Sequence, residues 1–267
     1  MKKYIFINYF SDPDPVRREE YLYCVNKNVE CKFIDKVFIF VEKEESKKDI
    51  PPNDKIQFLN IETRMEFQDI IDYTKNNIED DSIIIVLNLD VFIENSDAWA
   101  NVDRDFFEVG FPLKGLVCKR HNLDENMNTW IEEYSWTKGE FCDAWVLKTP
   151  LHPDFLKEDF KFCIGNAPQC DNTMMYLMSK YTHVFSWGSK YKVFHYDVCR
   201  RTNYKSGVIY NSTTDLRPSK RRNEHIDIPA HQDWDTLLKT QKQPMYLPTW
   251  RHHLININIG EIPNVRF

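Results

Sequence analysis

Asp90 follows the run Ser82-Ile83-Ile84-Ile85-Val86-Leu87-Asn88-Leu89 and is itself followed by a second apolar stretch, Val91-Phe92-Ile93. A β-branched run without alternation is what a central strand covered on both faces requires. A carboxylate at the end of such a strand lies where open α/β sheets hold ligands, in the crevice beyond the carboxyl ends of the strands. The plain alternative is a turn Asp closing a core strand. Asp143 stands among apolar neighbours in Cys142-Asp143-Ala144-Trp145-Val146-Leu147, where a buried carboxylate is costly unless hydrogen-bonded or put to use. Asp171, ahead of Met174, Leu177, Met178 and Tyr181, falls at or beside a helix N-cap, which keeps a carboxylate ionised. His195, in Tyr191-Lys192-Val193-Phe194-His195-Tyr196, is either a satisfied core histidine or a ligand. Carboxylates so placed can take a proton from a hydroxyl, worth about 10² to 10⁴ in rate. With an imidazole they can also hold a hard divalent cation such as Mn²⁺ or Mg²⁺.

The elements that position these groups are legible in order. Tyr4 to Phe10 reads as a first strand, followed by a polar loop with Asp12 and Asp14. Asp14 can cap a helix whose first turn suits Pro15 and whose inner face carries Leu22, Val25 and Val29. Lys36 to Val41 is a second strand, Glu42 to Asp49 a solvated charged loop, and Ile56 to Leu59 a third strand. Met65 to Lys75 is an amphipathic helix that feeds the strand ending at Asp90. The order β-α-β-β-α-β predicts an α/β fold with a mainly parallel sheet flanked by helices. Ser96 to Val102 suits one or two helical turns. Gly115 to Arg120, Glu140 to Leu147, His183 to Trp187 and Tyr191 to Tyr196 read as later strands. Asn122 to Gly139, with Trp130 and Trp136, is long enough to be a binding loop. These residues are divided as a domain over 1–204 and an extension over 205–267 that packs on it or closes over a ligand.

The composition excludes several classes. A net charge of -6 with mixed signs offers no basic stripe for a nucleic-acid backbone. No segment is apolar for long enough to span a bilayer, and the start runs quickly into Ser11-Asp12-Pro13-Asp14. Seven scattered cysteines without a C-x-x-C pair predict reduced, buried thiols and a cytoplasmic protein. The seven glycines form neither a dinucleotide fingerprint nor a P-loop, so a nucleotide must be held without a glycine cradle.

Five fragments in order resemble the GT-A glycosyltransferases, most strongly a group from large DNA viruses and bacteria that includes the chlorovirus rhamnosyltransferase domain. Arg17-Arg18-Glu19-Glu20-Tyr21-Leu22-Tyr23-Cys24-Val25-Asn26-Lys27-Asn28 is similar to an R-x-x-E-L-x-x-C-L-x-x-N helix. Asn88-Leu89-Asp90-Val91-Phe92 is similar to an N-[SA]-D-[IV]-[FY] strand end, and Cys142 to Leu147 to Q-D-A-W-[IV]-F. Gly165 with Cys170-Asp171-Asn172, and His195 with Arg201 and Tyr204, resemble the family's later motifs. The resemblance implies a nucleotide-sugar donor, UDP-linked first of all, and a glycan or glycoprotein acceptor. It also implies Asp90 and His195 on a divalent metal, Asp171 or else Asp143 as base, and inversion at the sugar carbon. Tyr9, Asp12, Arg17, Arg64, Asn88 and Asp90 would meet the nucleotide sugar, Tyr9 by stacking and the arginines by pairing with phosphate. Trp130, Trp136 and Trp145 can form an acceptor sugar platform, with packing in the core the more frequent role of a buried Trp. Asn88 stands where classical members carry Asp, leaving one carboxylate of the triplet. A binding module that kept the fold without turnover is the alternative.

Overall fold

A computed structural model of the chain describes residues 1–107, 114–130, 142–164, 174, 177–178, 180–186, 190–196 and 198. Its strands are β1 (Lys2–Tyr9), β2 (Lys36–Val41), β3 (Ile56–Asn60), β4 (Ser82–Leu87), β5 (Val91–Ile93), β6 (Lys114–Leu123), β7 (Thr129–Trp130), β8 (Cys142–Lys148), β9 (His183–Ser186) and β10 (Val193–Tyr196). Helix α1 (Pro15–Glu30) joins β1 to β2, α2 (Phe67–Asn77) joins β3 to β4, and α3 (Asp97–Ala100) follows β5. The strand order is β3-β2-β1-β4-β8-β6-β10-β5, with β7 and β9 also on β6. The first four strands are mutually parallel, and β8 runs antiparallel between β4 and β6. This is a mixed α/β fold with a mainly parallel central sheet flanked by helices.

Alternation along the strands explains why β1 and β4 are apolar throughout. Ile5, Ile7 and Tyr9 of β1, with Ile83, Ile85 and Leu87 of β4, face the core under α1. Tyr4, Phe6, Ile84 and Val86 face the core under α2, together with Phe67, Ile70 and Ile71. A strand covered on both sides has no face left for polar residues.

Strand β6 is shared between two arms. Residues up to Lys119 pair with β8 and β9, and after an irregularity at Cys118/Lys119 the strand turns to β10 and β7. The turn Asn88 to Asp90 carries the chain from β4 in the large arm to β5 in the small one, where β5 lies antiparallel to β10. The two crossings meet, and the polar residues described below collect at that seam.

Asp14 caps α1 as expected, its Oδ1 accepting from Val16 N at 3.0 Å with Pro15 in the first turn. Two expectations change. The charged run after β2 is not wholly a solvated loop: Glu44–Asp49 forms a 3-10 turn that buries Ser46 and brings Asp49 under the hydroxyl of Tyr9 at 3.0 Å. The second helix starts at Phe67 rather than Met65, because Glu66 is held outside it by a bridge to Cys163 and by its N–H donating to Asp69 Oδ2 at 2.8 Å. Met174, Leu177 and Met178, the expected inner face after Asp171, are buried. Cys24, Cys31, Cys118 and Cys163 are free and buried. The extension over 205–267 lies outside the described residues.

Candidate functional site

Asp90 sits at the seam, between the end of β4 and the start of β5. Its Oδ2 lies 2.5 Å from Nη2 of Arg17 and 3.2 Å from Nε2 of His195. Its backbone carbonyl accepts from Tyr196 N at 3.2 Å, so β10 fixes both the main chain and the side chain. His195 shares the inward face of β10 with Val193 and is 6% exposed. The other ring nitrogen of His195, Nδ1, lies 2.9 Å from Asn122 Oδ1 on the second half of β6.

Arg17 reaches this point because α1 presents a polar stripe to the seam. Arg17, Glu20, Tyr21, Cys24, Val25 and Asn28 recur at three and four residues, which places them along one helix face. Arg17 donates to Glu20 Oε2 at 2.6 Å and to the Tyr21 hydroxyl at 3.1 Å, with its guanidinium 4.8 Å from the Tyr21 ring centroid. Glu20 is 1% exposed, and a carboxylate that deep needs such a partner. Burial by itself lowers the pKa of the guanidinium, but Asp90, Tyr21 and Glu20 outweigh it and hold Arg17 above its ordinary value. Farther along, Asn28 donates to Val91 O at 2.9 Å and accepts from Ile93 N at 3.1 Å. Its side-chain amide thus takes the place of a neighbouring strand along the edge of β5 that faces away from β10. Burial, and then the charge of Asp90, push the Cys24 thiol well above its ordinary pKa, so it is no nucleophile.

On the other side of the seam, Asn88 Nδ2 donates to Asp143 Oδ1, and Asn88 N to Asp143 O at 3.2 Å. Asp143 is 3% exposed and Asn88 9%. Asn88 Oδ1 is buried with no hydrogen-bond partner among the described residues, an acceptor that suits a hydroxyl or N–H of a ligand.

The remaining expected residues are dispersed. Tyr9 is 1% exposed in the α1 core, and burial followed by its bond to Asp49 raises its pKa. Its ring therefore has no open face for a base in this arrangement. Asp12 turns back on its own loop, accepting from Asp14 N at 2.9 Å. Arg64 donates to Ile164 O at 3.3 Å, under the α2 side of the sheet. Trp145 is fully buried, edge-on to Phe67, which removes it from any acceptor platform. Asp171, Trp136, Gly165, Arg201 and Tyr204 lie outside the described residues. The structure thus gathers Arg17, Asn88, Asp90, Asp143 and His195, and adds Glu20, Asn28 and Asn122. The missed residues of α1 had a signal, the helical period joining them to Arg17; nothing in the sequence marks Asn122.

A divalent cation does not fit between Asp90 and His195 as they stand. The Asp90 oxygen that would bind it already meets the Arg17 guanidinium, which repels a second cation. His195 Nε2 faces the same oxygen at 3.2 Å, so a cation placed between them would have to part that contact as well as the ion pair. Among the described residues, no group of three His, Cys, Asp or Glu is gathered so as to hold a metal ion.

A concavity of about 460 Å³, lined by Phe92, His121, Phe194 and Lys192 among others, lies on the opposite face of the small arm. Phe194 alternates with His195 along β10, so this hollow and the Asp90 cluster are on different sides of the same strands.

No family model matches the chain, and no curated protein does. Among solved structures, it is similar to 4-diphosphocytidyl-2C-methyl-D-erythritol synthase from Anaerococcus prevotii DSM 20548, with a TM-score of 0.45 and 9% identity over 69% of this chain and 86% of that one. It is also similar to GalNAc-T7 in a crystal structure with UDP, GalNAc and Mn²⁺, with a TM-score of 0.47 and 9% identity over 92% of this chain and 56% of that one. At these scores neither likeness carries chemistry to this chain, and the fold class stands on its own strand order and pairing.

Proposed function

We propose that this chain is a glycosyltransferase of the GT-A type that moves a sugar from a nucleotide-sugar donor, UDP-linked first of all, to the hydroxyl of a glycan or glycoprotein acceptor. The observation that supports it is convergence. Fragments that resemble the family in the sequence, around Arg17, Asn88 to Asp90, Asp143 and His195, meet in one cluster although 73 and 105 residues separate Asp90 from Arg17 and His195. That cluster stands beyond the carboxyl end of β4, beside β1, where the order β3-β2-β1-β4 reverses direction and open sheets hold ligands. The acceptor oxygen would attack the anomeric carbon and pass its proton to a carboxylate as the nucleoside diphosphate leaves, inverting the centre. Asp171 is the first choice of base and Asp143 the second.

One observation favours the alternative, a nucleotide-sugar or glycan-binding module without turnover. Asp143 is buried and tied to Asn88, so it is not poised to take a proton. Thermal-shift titration with UDP-, GDP- and TDP-sugars, followed by transfer assays over a broad acceptor panel, separates the readings. A bound donor at about 100 times its Kd adds about 2.7 kcal/mol of apparent stability. Transfer that Asp171→Asn abolishes while donor binding persists supports the transferase. Binding without transfer supports the module, and the absence of both binding and hydrolysis ends the proposal.

A further inference from the structure

We propose that Arg17 stands in this chain where a divalent cation would otherwise stand, so that the Asp90–His195 pair is closed to Mn²⁺ and Mg²⁺. Three observations carry it. The guanidinium is 2.5 Å from the Asp90 oxygen that His195 also faces, so the one oxygen common to both supposed metal ligands is already neutralised. Arg17 is anchored independently of Asp90, by Glu20 at 2.6 Å and by Tyr21 at 3.1 Å, and its side chain is only 14% exposed. A cation entering the site would therefore have to displace a guanidinium that is held from behind, not one swinging in from solvent. Finally, Asn88 in the strand end replaces the second carboxylate that could have tipped the balance toward a doubly charged ion, and that amide is engaged by Asp143.

The same geometry explains why the motif on α1 pairs an arginine with a glutamate three residues on. Glu20 is too buried to meet a ligand, but it fixes the direction of Arg17, which makes it a positioning residue. Any diphosphate at this seam then meets a fixed organic cation where a metal ion would otherwise stand. Its binding would be unaffected by a chelator.

The test needs no nucleotide, so it stands whether or not the transferase reading does. Free Mn²⁺ is followed by electron paramagnetic resonance as the full chain is titrated, with wild type, Arg17→Gln, Arg17→Lys, Asp90→Asn and the double variant Arg17→Gln/Asp90→Asn. Wild type is expected to show no manganese site that Asp90→Asn removes. Arg17→Gln is expected to bind at least about tenfold tighter, the gain from removing one unit charge about 5 Å from a divalent ion even at a water-like dielectric. Arg17→Lys should show no gain, and the double variant should lose it. A wild-type site that disappears in Asp90→Asn overturns the proposal, as does Arg17→Gln binding no tighter than wild type. If Arg17→Gln fails to fold by circular dichroism, the comparison of wild type with Asp90→Asn still decides.

Discussion

Asn28 offers the sharpest test of how the seam is held. It is 1% exposed and makes two hydrogen bonds to β5, one to Val91 O and one from Ile93 N. Asn28→Leu keeps the size and removes both. Two backbone groups are then buried without partners, at about 1–3 kcal/mol each, partly offset by about 1–2 kcal/mol from the added apolar burial. The expected loss is about 2–4 kcal/mol, or a fall in Tm of about 5–15 °C for a chain of this size. Urea denaturation measures the total, and amide hydrogen exchange localises it. The Ile93 amide, whose acceptor is Asn28 Oδ1, should lose protection by about tenfold or more, at least as much as the loss that Val86 in β4 shares through global unfolding. A loss within about 0.5 kcal/mol, the range of a neutral surface change, would refute the reading of Asn28 as a surrogate strand edge, as would unchanged Ile93 exchange.

Two further outcomes follow from the ion pairs. Arg17→Met, which takes the guanidinium from the buried Glu20 and the part-buried Asp90, should cost about 3–5 kcal/mol. In a cycle with Asp90→Asn measured by urea denaturation, the two changes should miss additivity by about 1–3 kcal/mol, and additivity within about 0.5 kcal/mol would sink the pairing. At the other end of the sheet, the Tyr4 hydroxyl donates to Glu79 Oε1 at 2.7 Å and is the chief reason that carboxyl is held down to about 2. A depressed folded pKa gives stability that is full above the unfolded value near 4.3 and lost as pH falls through the folded one. Wild type should therefore exceed Tyr4→Phe by about 1 kcal/mol at pH 7, Glu79 being half exposed, and the gap should close between about pH 4 and pH 2. A gap that persists at pH 2 would count against that bond.

What could be read from the sequence was whatever announces itself by periodicity. Strands β1, β2 and β4 and helix α1 were legible because apolar runs and a capping Asp-Pro pair are local signals. The mainly parallel sheet followed from their order. The polar stripe of α1 was half legible: Arg17, Glu20, Cys24 and Asn28 stood out as a resemblance, yet the inner face drawn from periodicity kept only its apolar members. A helix face is conventionally read as its hydrophobic residues, and here the half that meets the seam is charged. Tyr9 at the end of β1 and Trp145 in the middle of β8 both pack inward, and the sequence leaves this open because an aromatic in a strand reads the same whether it packs inward or faces a ligand. Asn122 could not be found, since its role depends on β6 turning to meet β10, a tertiary event with no local mark.

Among the described residues, the only strand that pairs with β5 is β10, which enters the sequence about a hundred residues later. During synthesis the doubly wound half from β1 to β4 can therefore close early, while the acidic rim residue waits for the imidazole that completes its surroundings. Maturation of the seam is a late event, and lesions far downstream, in β10, should silence it without unfolding what was built first.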